Sequence, residues 1–169
     1  MSQLQWTLPD DLLEHSIAVM RPHGARGNEG LALWFGSGDD YHVHITHVVE
    51  VFGPGFFTAP HFMSLSMRAM TVLTEFAEKQ GVFLAGQIHS HPGSFVDLSE
   101  LDEVHGIRTP DYLSIVCPYY AQRRIAGLHE CGVHVFERDR YRRLAADEIE
   151  RRIMVRGAPL TILRLEVHT

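Results

Sequence analysis

The apolar positions change period several times along the chain, and each change marks a new element. Leu12, Leu13, Ile17 and Met20 recur at helical spacing, which predicts a helix from Pro9 to about Met20 that starts at Pro9 and Asp10. His23 to Asn28 (HGARGN) reads as a loop, Glu29 to Phe35 as a strand, and Gly36 to Asp40 as a turn. Tyr41 to Val51 alternates well enough to pair with the preceding strand as a hairpin. Gly53 to Pro60 is broken by glycine and proline and reads as a loop. From His61 to Gln80, the positions Leu65, Met67, Met70, Leu73, Phe76 and Ala77 predict a long helix, ended by Gly81.

Val82 to His91 is a short apolar run that reads as a buried strand leading into a loop, and a brief helix follows Ser99. Tyr112 to Cys117 reads as another buried strand, and Arg124 to Glu137 as one or two more. The end holds a charged helix near Ala145 to Met154 and a strand from Leu160 to Val167. Helices interleave with strands throughout, so the expected fold is α/β, with a mixed β-sheet flanked by helices. No repeat, low-complexity segment or Gly/Ser/Pro linker divides the chain, and residues 1–169 read as a single domain.

Composition narrows the function more than the fold. With 45% hydrophobic and 21% charged residues, the chain has the balance of a globular protein, and no apolar run approaches bilayer length. A net charge of -6 argues against nucleic acid as the main partner, because phosphate binding needs clustered cations. Arg138, Arg140, Arg142, Arg143, Arg151 and Arg152 do cluster. They are interspersed with Asp139, Asp147, Glu148 and Glu150, and read as a solvated, mixed-charge surface. The opening residues MSQLQWTLPDDLLEHS lack the pattern of a secretory signal, so a cytoplasmic location is expected. Cys117 and Cys131 are not in a CxxC pair, which excludes a thiolate zinc knuckle and predicts reduced thiols.

The chemistry concentrates in one stretch. His89 and His91 are two apart on a strand, so both imidazoles project from one face and can converge on one metal. Pro92 and Gly93 then turn the chain. Ser99 and Asp102, three apart, share one side of a helical turn. Two imidazoles and one carboxylate leave a fourth tetrahedral position open, which is the ligand set of a catalytic rather than a structural zinc site. The competing reading for His89 and His91 is a hydrogen-bonded pair at a strand end, and for Ser99 a helix N-cap. A second pair, His42 and His44 with His47 nearby, has no acidic partner at matching distance and reads as a surface face of the hairpin. His105 is expected near the metal rim without being a ligand. Asp97, Glu100 and Glu103 are expected to face solvent or cap the helix, and Cys117, Trp6, Trp34 and the phenylalanines to be core.

The run His89-x-His91-Pro92, six residues, Ser99-x-x-Asp102 resembles the signature of the JAMM metalloproteases, also called the MPN or Mov34 domain. Glu29-Gly30 followed by apolar residues fits the upstream glutamate of that family. The resemblance implies a JAMM (cytidine-deaminase-like) architecture, Zn2+ held by His89, His91 and Asp102, Glu29 as general acid/base and Ser99 as oxyanion donor. It further implies hydrolysis after the C-terminal Gly-Gly of a ubiquitin-like protein or its conjugate, with Gly53 to Pro60, through Phe56 and Phe57, as one wall of the tail channel. Only about ten residues, Glu103 to Tyr112, follow Asp102 before the next strand. The chain is therefore similar to the compact stand-alone bacterial members that accompany activating-like and conjugating-like enzymes, with no nucleic acid or membrane partner. The alternatives are processing of a sulfur-carrier protein in cysteine biosynthesis and a non-catalytic MPN scaffold.

Overall fold

In the computed structural model, which describes residues 3–168, strand β2 (Leu31–Gly38) runs through the middle of the sheet and divides its side chains between two cores. Ala32 and Trp34 join one core with Trp6, Leu12, Ile17, Met20, Ile88 and Ile115. Leu31, Leu33 and Phe35 join the other, with Val49, Val51, Ala69 and Leu73. This is the period of two expected of a strand covered on both faces, and each large side chain so buried contributes about 1.5–3 kcal/mol. The Trp34 indole N–H is satisfied within the first core by Ser16 Oγ at 2.9 Å.

The remaining elements in chain order are β1 (Gln5–Pro9), α1 (Leu12–Gly24), then, after β2, β3 (His42–Phe52), β4 (Phe56–Ala59), β5 (Phe62–Leu65) and α2 (Met67–Gln80). They continue with β6 (Phe83–Ser90), α3 (Glu100–His105), β7 (Leu113–Cys117), β8 (Gly132–Glu137) and β9 (Arg140–Arg143). The last are α4 (Ala146–Arg152), β10 (Ile153–Arg156) and β11 (Thr161–Glu166). One mixed sheet has the order β10-β1-β3-β2-β6-β7-β8-β9, with β11 pairing farther along β3, while β4 and β5 form a separate hairpin. The expected α/β architecture and the hairpin of β2 with β3 are both present. Because β6 runs parallel to β7 and antiparallel to β2, the C-terminal end of β6 meets the N-terminal end of β2. Among the described residues, no helix is long and apolar enough to cross a membrane.

Several expectations are corrected. Pro9 ends strand β1 instead of opening a helix; α1 begins at Leu12 and continues past the predicted Met20 to Gly24, with Pro22 in its last turn. The segment from Gly53 to Pro60 is not an open loop, since β4 lies inside it. The predicted helix from His61 starts only at Met67, because Phe62–Leu65 pairs with β4 as a strand. Ser66 marks the true start, its side chain accepting the Ala69 N–H at 3.0 Å, and Gly81 closes α2 at φ 66°, the left-handed conformation glycine adopts freely. Arg152 is not part of a solvated surface. It is buried, stacked 4.7 Å over the Trp6 ring, and bonded to Leu4 O and Glu137. Cys117 and Cys131 are free and buried. His42 and His44 stack on each other on β3, with His42 Nε2 2.7 Å from Thr7 Oγ1.

Candidate metal centre

Strand alternation sends Ile88 into the α1 core, so His89 faces the other side, where the chain turns and returns through α3. His89 Nε2 lies 3.1 Å from His91 Nε2 and 3.4 Å from Asp102 Oδ1, and His91 Nε2 lies 3.2 Å from Asp102 Oδ2. These three residues form a group able to hold a metal ion. Donors about 2.0–2.1 Å from a tetrahedral Zn2+ stand about 3.3–3.4 Å from one another, so the observed edges fit such an ion closely. The tautomer also fits. His91 Nδ1 donates to Phe95 O at 3.1 Å, which leaves the Nε2 lone pair facing the cluster. Phe95 stacks parallel to the His91 ring at 5.9 Å and holds its plane.

Electrostatics point the same way. Burial opposes charge on Asp102, but hydrogen bonds from His89 and His91 outweigh it and keep the carboxyl well below its usual range. Burial likewise opposes charge on His91, and Asp102 outweighs that and raises the imidazole's pKa. Without an ion, the anionic Asp102 thus favours a proton on His91 Nε2; a divalent cation would displace that proton and face the same carboxylate in this dry setting.

Asp102 has two attachments. Its Oδ2 accepts the Ser99 N–H at 2.7 Å, while Ser99 Oγ accepts the Asp102 N–H at 3.1 Å, a reciprocal capping box that starts α3. The N-cap reading of Ser99 is thus realised. Its hydroxyl hydrogen is left free, and the residue lines a cavity of about 240 Å³ together with Glu29, His61 and His91.

Glu29 lies two residues before the start of β2 and is only 3% exposed, with Oε1 4.0 Å from His91 Nε2 and Oε2 lacking any hydrogen-bond partner among the described residues. Burial, partly offset by His91, raises its carboxyl to about 7. Its backbone is gripped from both sides. The Glu29 N–H donates to Ala59 O at 3.0 Å, and Thr58 Oγ1 donates to Glu29 O. On the other side Ser90 Oγ accepts the Gly30 N–H at 2.8 Å, and the Ser90 N–H donates to Gly30 O at 3.1 Å. A side chain at position 30 would collide with Met20, whose Cα lies 2.7 Å from where its Cβ would stand, so glycine lets α1 press against this point.

Ser90 is therefore a positioning residue that locks Glu29 to the histidine strand, a role the sequence did not reveal because it rests on a contact sixty residues away. Ser90→Ala is expected to keep metal content while lowering kcat about ten- to a hundredfold with little change in KM. Ser90→Thr should restore most of it. An unchanged kcat in the alanine variant would remove the role.

The loop between the ligands is seated on β8. Gly132 passes so close beneath Val96 that a Cβ there would lie 1.8 Å from Val96 O. Asp97, its side chain 48% exposed, faces solvent as expected, and there it pairs with Arg143 at 2.7 Å and lies 3.6 Å from His134 Nε2. His61 and Phe95 are further cavity residues that the motif did not single out. His105 lies beside Asp102 along an adjoining groove and is not a member of the cluster, as expected. That groove, about 290 Å³, runs between β5 and α3, lined among others by Phe62, Met63, Leu65, Leu101 and Ile107. One wall of this groove is β5, and Phe56 and Phe57 of β4 do not line it.

No protein-family model matches the chain. Over 117 residues, 68% of this chain and 72% of the relative, it is 32% identical to "Probable metalloprotease y4jG" of Sinorhizobium fredii. Among solved structures it is similar to protein DSY2949 from Desulfitobacterium hafniense, with a TM-score of 0.64, 19% identity, and coverage of 91% of this chain and 94% of that one. A fainter likeness, TM-score 0.48 at 14% identity over 90% and 97% of the two chains, is to AF2198, a JAB1/MPN domain protein from Archaeoglobus fulgidus.

Proposed function

The chain belongs to the JAMM (MPN) family of metalloproteases, and from that premise we propose that it is a zinc-dependent hydrolase cutting after the C-terminal Gly-Gly of a ubiquitin-like protein. The observation that carries this reading is the groove between β5 and α3, which opens onto the ligand cluster at Asp102. Among the described residues β5 pairs with β4 alone, so its other edge is available to an added strand. A thin, extended tail ending in two glycines suits such a groove, because side chains at its last two positions would crowd the buried ligands.

His89, His91 and Asp102 would hold the metal, and when bound it polarises a carbonyl and lowers the pKa of a coordinated water to about 7. The chain's own residues supply the rest. Glu29, buried and poised near neutrality, accepts a proton at its carboxylate and returns it to the leaving amine. The Ser99 hydroxyl, bonded through its oxygen to the Asp102 N–H, keeps its proton to donate to a developing oxyanion. The closed surroundings of His89 and His91 exclude bulk water. After α3 the chain reaches β7 in seven residues, with the Tyr141 hydroxyl donating to Ile107 O, and carries no inserted lobe there. That favours precursor or conjugate processing over selection among polymeric chains.

The test is a ubiquitin-like protein fused through Gly-Gly to a reporter, in peptide and lysine-linked forms, beside a fusion ending in Ala-Ala. We expect metal-dependent cleavage after Gly-Gly and a loss of more than about a hundredfold with Ala-Ala. Equal cleavage of both tails would overturn the assignment. A sulfur-carrier fusion cut in preference to every ubiquitin-like one would redirect it to that substrate.

A further inference from the structure

Beside the ligand cluster, on the side opposite in sequence from the Asp102 groove, the surface changes sign. The turn Tyr119–Ala121 holds three successive non-glycine residues at φ 55°, 52° and 57°. Such a run is strained and persists only when its surroundings over-determine it. Here they do. The Tyr120 N–H donates to His91 O at 2.7 Å and the Tyr119 N–H to Gly93 O at 2.9 Å. Arg21 Nε donates to Ala121 O at 3.1 Å, and Gln122 Nε2 to Arg21 O at 3.0 Å. The strained turn is thus fastened directly to the backbone of a candidate ligand.

What the turn presents is cationic. Arg21, Arg123 and Arg124 are all exposed, and the Arg123 guanidinium lies 3.6 Å over the Tyr119 ring, which holds it in place. Among the described residues, Arg21, Arg123 and Arg124 have no carboxylate partner, as several other exposed arginines do not, but these three gather around one turn. Arg123 and Arg124 line a concavity of about 360 Å³ with Ser94 and Tyr119. Glu130 also lines it and keeps its negative charge while accepting the Ala126 N–H, so the two guanidinium groups leave the lining with an excess of one positive charge. Pro92 and Gly93 rim the cavity that holds Glu29, and the next residue, Ser94, rims this concavity, so the two adjoin. In a chain of net charge -6, a local cluster of unpaired guanidinium groups beside the cluster is a selective feature.

We infer that this concavity receives the segment downstream of the scissile bond and selects one carrying Asp or Glu within its first few residues. The inference rests on the proposed cleavage reading for the orientation of the chain: the tail occupies the groove at Asp102, and the leaving part crosses Pro92 and Gly93 to the arginines.

The experiment compares fusions with the same Gly-Gly tail and three downstream residues that are acidic, neutral or basic. Acidic leaving segments should be cut with kcat/KM about tenfold above basic ones, through KM, and the gap should shrink as salt rises. The exposed double variant Arg123→Glu/Arg124→Glu should invert the order, with its fold checked by an unchanged far-UV spectrum. Equal rates on all three, or an order unaltered in the double variant, overturn the inference. Should no Gly-Gly fusion be cut, the proposed function fails, and anisotropy of labelled acidic and basic hexapeptides reads the concavity alone. Tighter binding of the acidic peptide, lost in the double variant, supports the site, and equal binding refutes it.

Discussion

Glu29→Gln is expected to retain a full complement of metal and to lose turnover by about 10²–10⁴-fold, the usual contribution of a positioned acid/base group. The substitution preserves shape and both backbone clamps, at Ala59 and at Gly30, so a loss would be chemical and not structural. A second readout belongs to the metal-free protein. Its folded-state carboxyl is raised to about 7 from an ordinary 4.5, so between those values the folded chain holds a proton that the unfolded chain has released. Stability conferred by the neutral form is complete below about pH 4.5 and is lost as pH rises through about 7, by roughly 3 kcal/mol across the window. Glu29→Gln should therefore flatten the fall in urea midpoint from pH 5 to pH 8. Full turnover in the variant would sink the acid/base assignment, and an unchanged slope would show that the carboxyl is not held protonated.

The other large effect concerns the ligands. His89→Ala should reduce metal content from about one ion per chain to a trace, weakening affinity by more than about a hundredfold, and abolish cleavage with it. Asp102→Ala should do the same but also removes the capping acceptor of α3. Asp102→Asn separates the two. Its amide oxygen still accepts the Ser99 N–H while the charge is gone, so helix content should persist as metal is lost. Metal analysis by mass spectrometry with circular dichroism reads both quantities. Wild-type metal content in His89→Ala and Asp102→Asn together would refute the centre.

The ligand set was legible in the sequence because it depends on local periods. Strand alternation, carried one residue past the end of β6 at Ser90, brings His91 to the face of His89, and three apart at a helix start fixes Ser99 against Asp102. The buried strands β6 and β7 were legible as apolar runs. The short strands β1, β4, β5 and β10 were not, since four or five residues satisfy helical and strand periods alike. Phe62-Met63-Ser64-Leu65 merges smoothly into the α2 pattern, and only Ser66 as a cap could have divided them. The environment of Glu29 was beyond reach for a different reason. Ser90, Thr58, His61 and the left-handed turn at Tyr119–Ala121 meet it or its neighbours through pairings far apart in the chain, which no window of sequence contains.

The shared use of Asp102 has a kinetic consequence. One carboxylate both caps α3 and faces the imidazoles, and α3, six residues long, is too short to persist without its cap and its neighbours. An ion held there would be gripped by that carboxylate, and the carboxylate swings away only by giving up the Ser99 N–H that starts the helix. The residence time of such an ion would be tied to the opening rate of a single helical turn, so chelator-driven loss should follow amide exchange at Asp102 and not the global unfolding of the sheet.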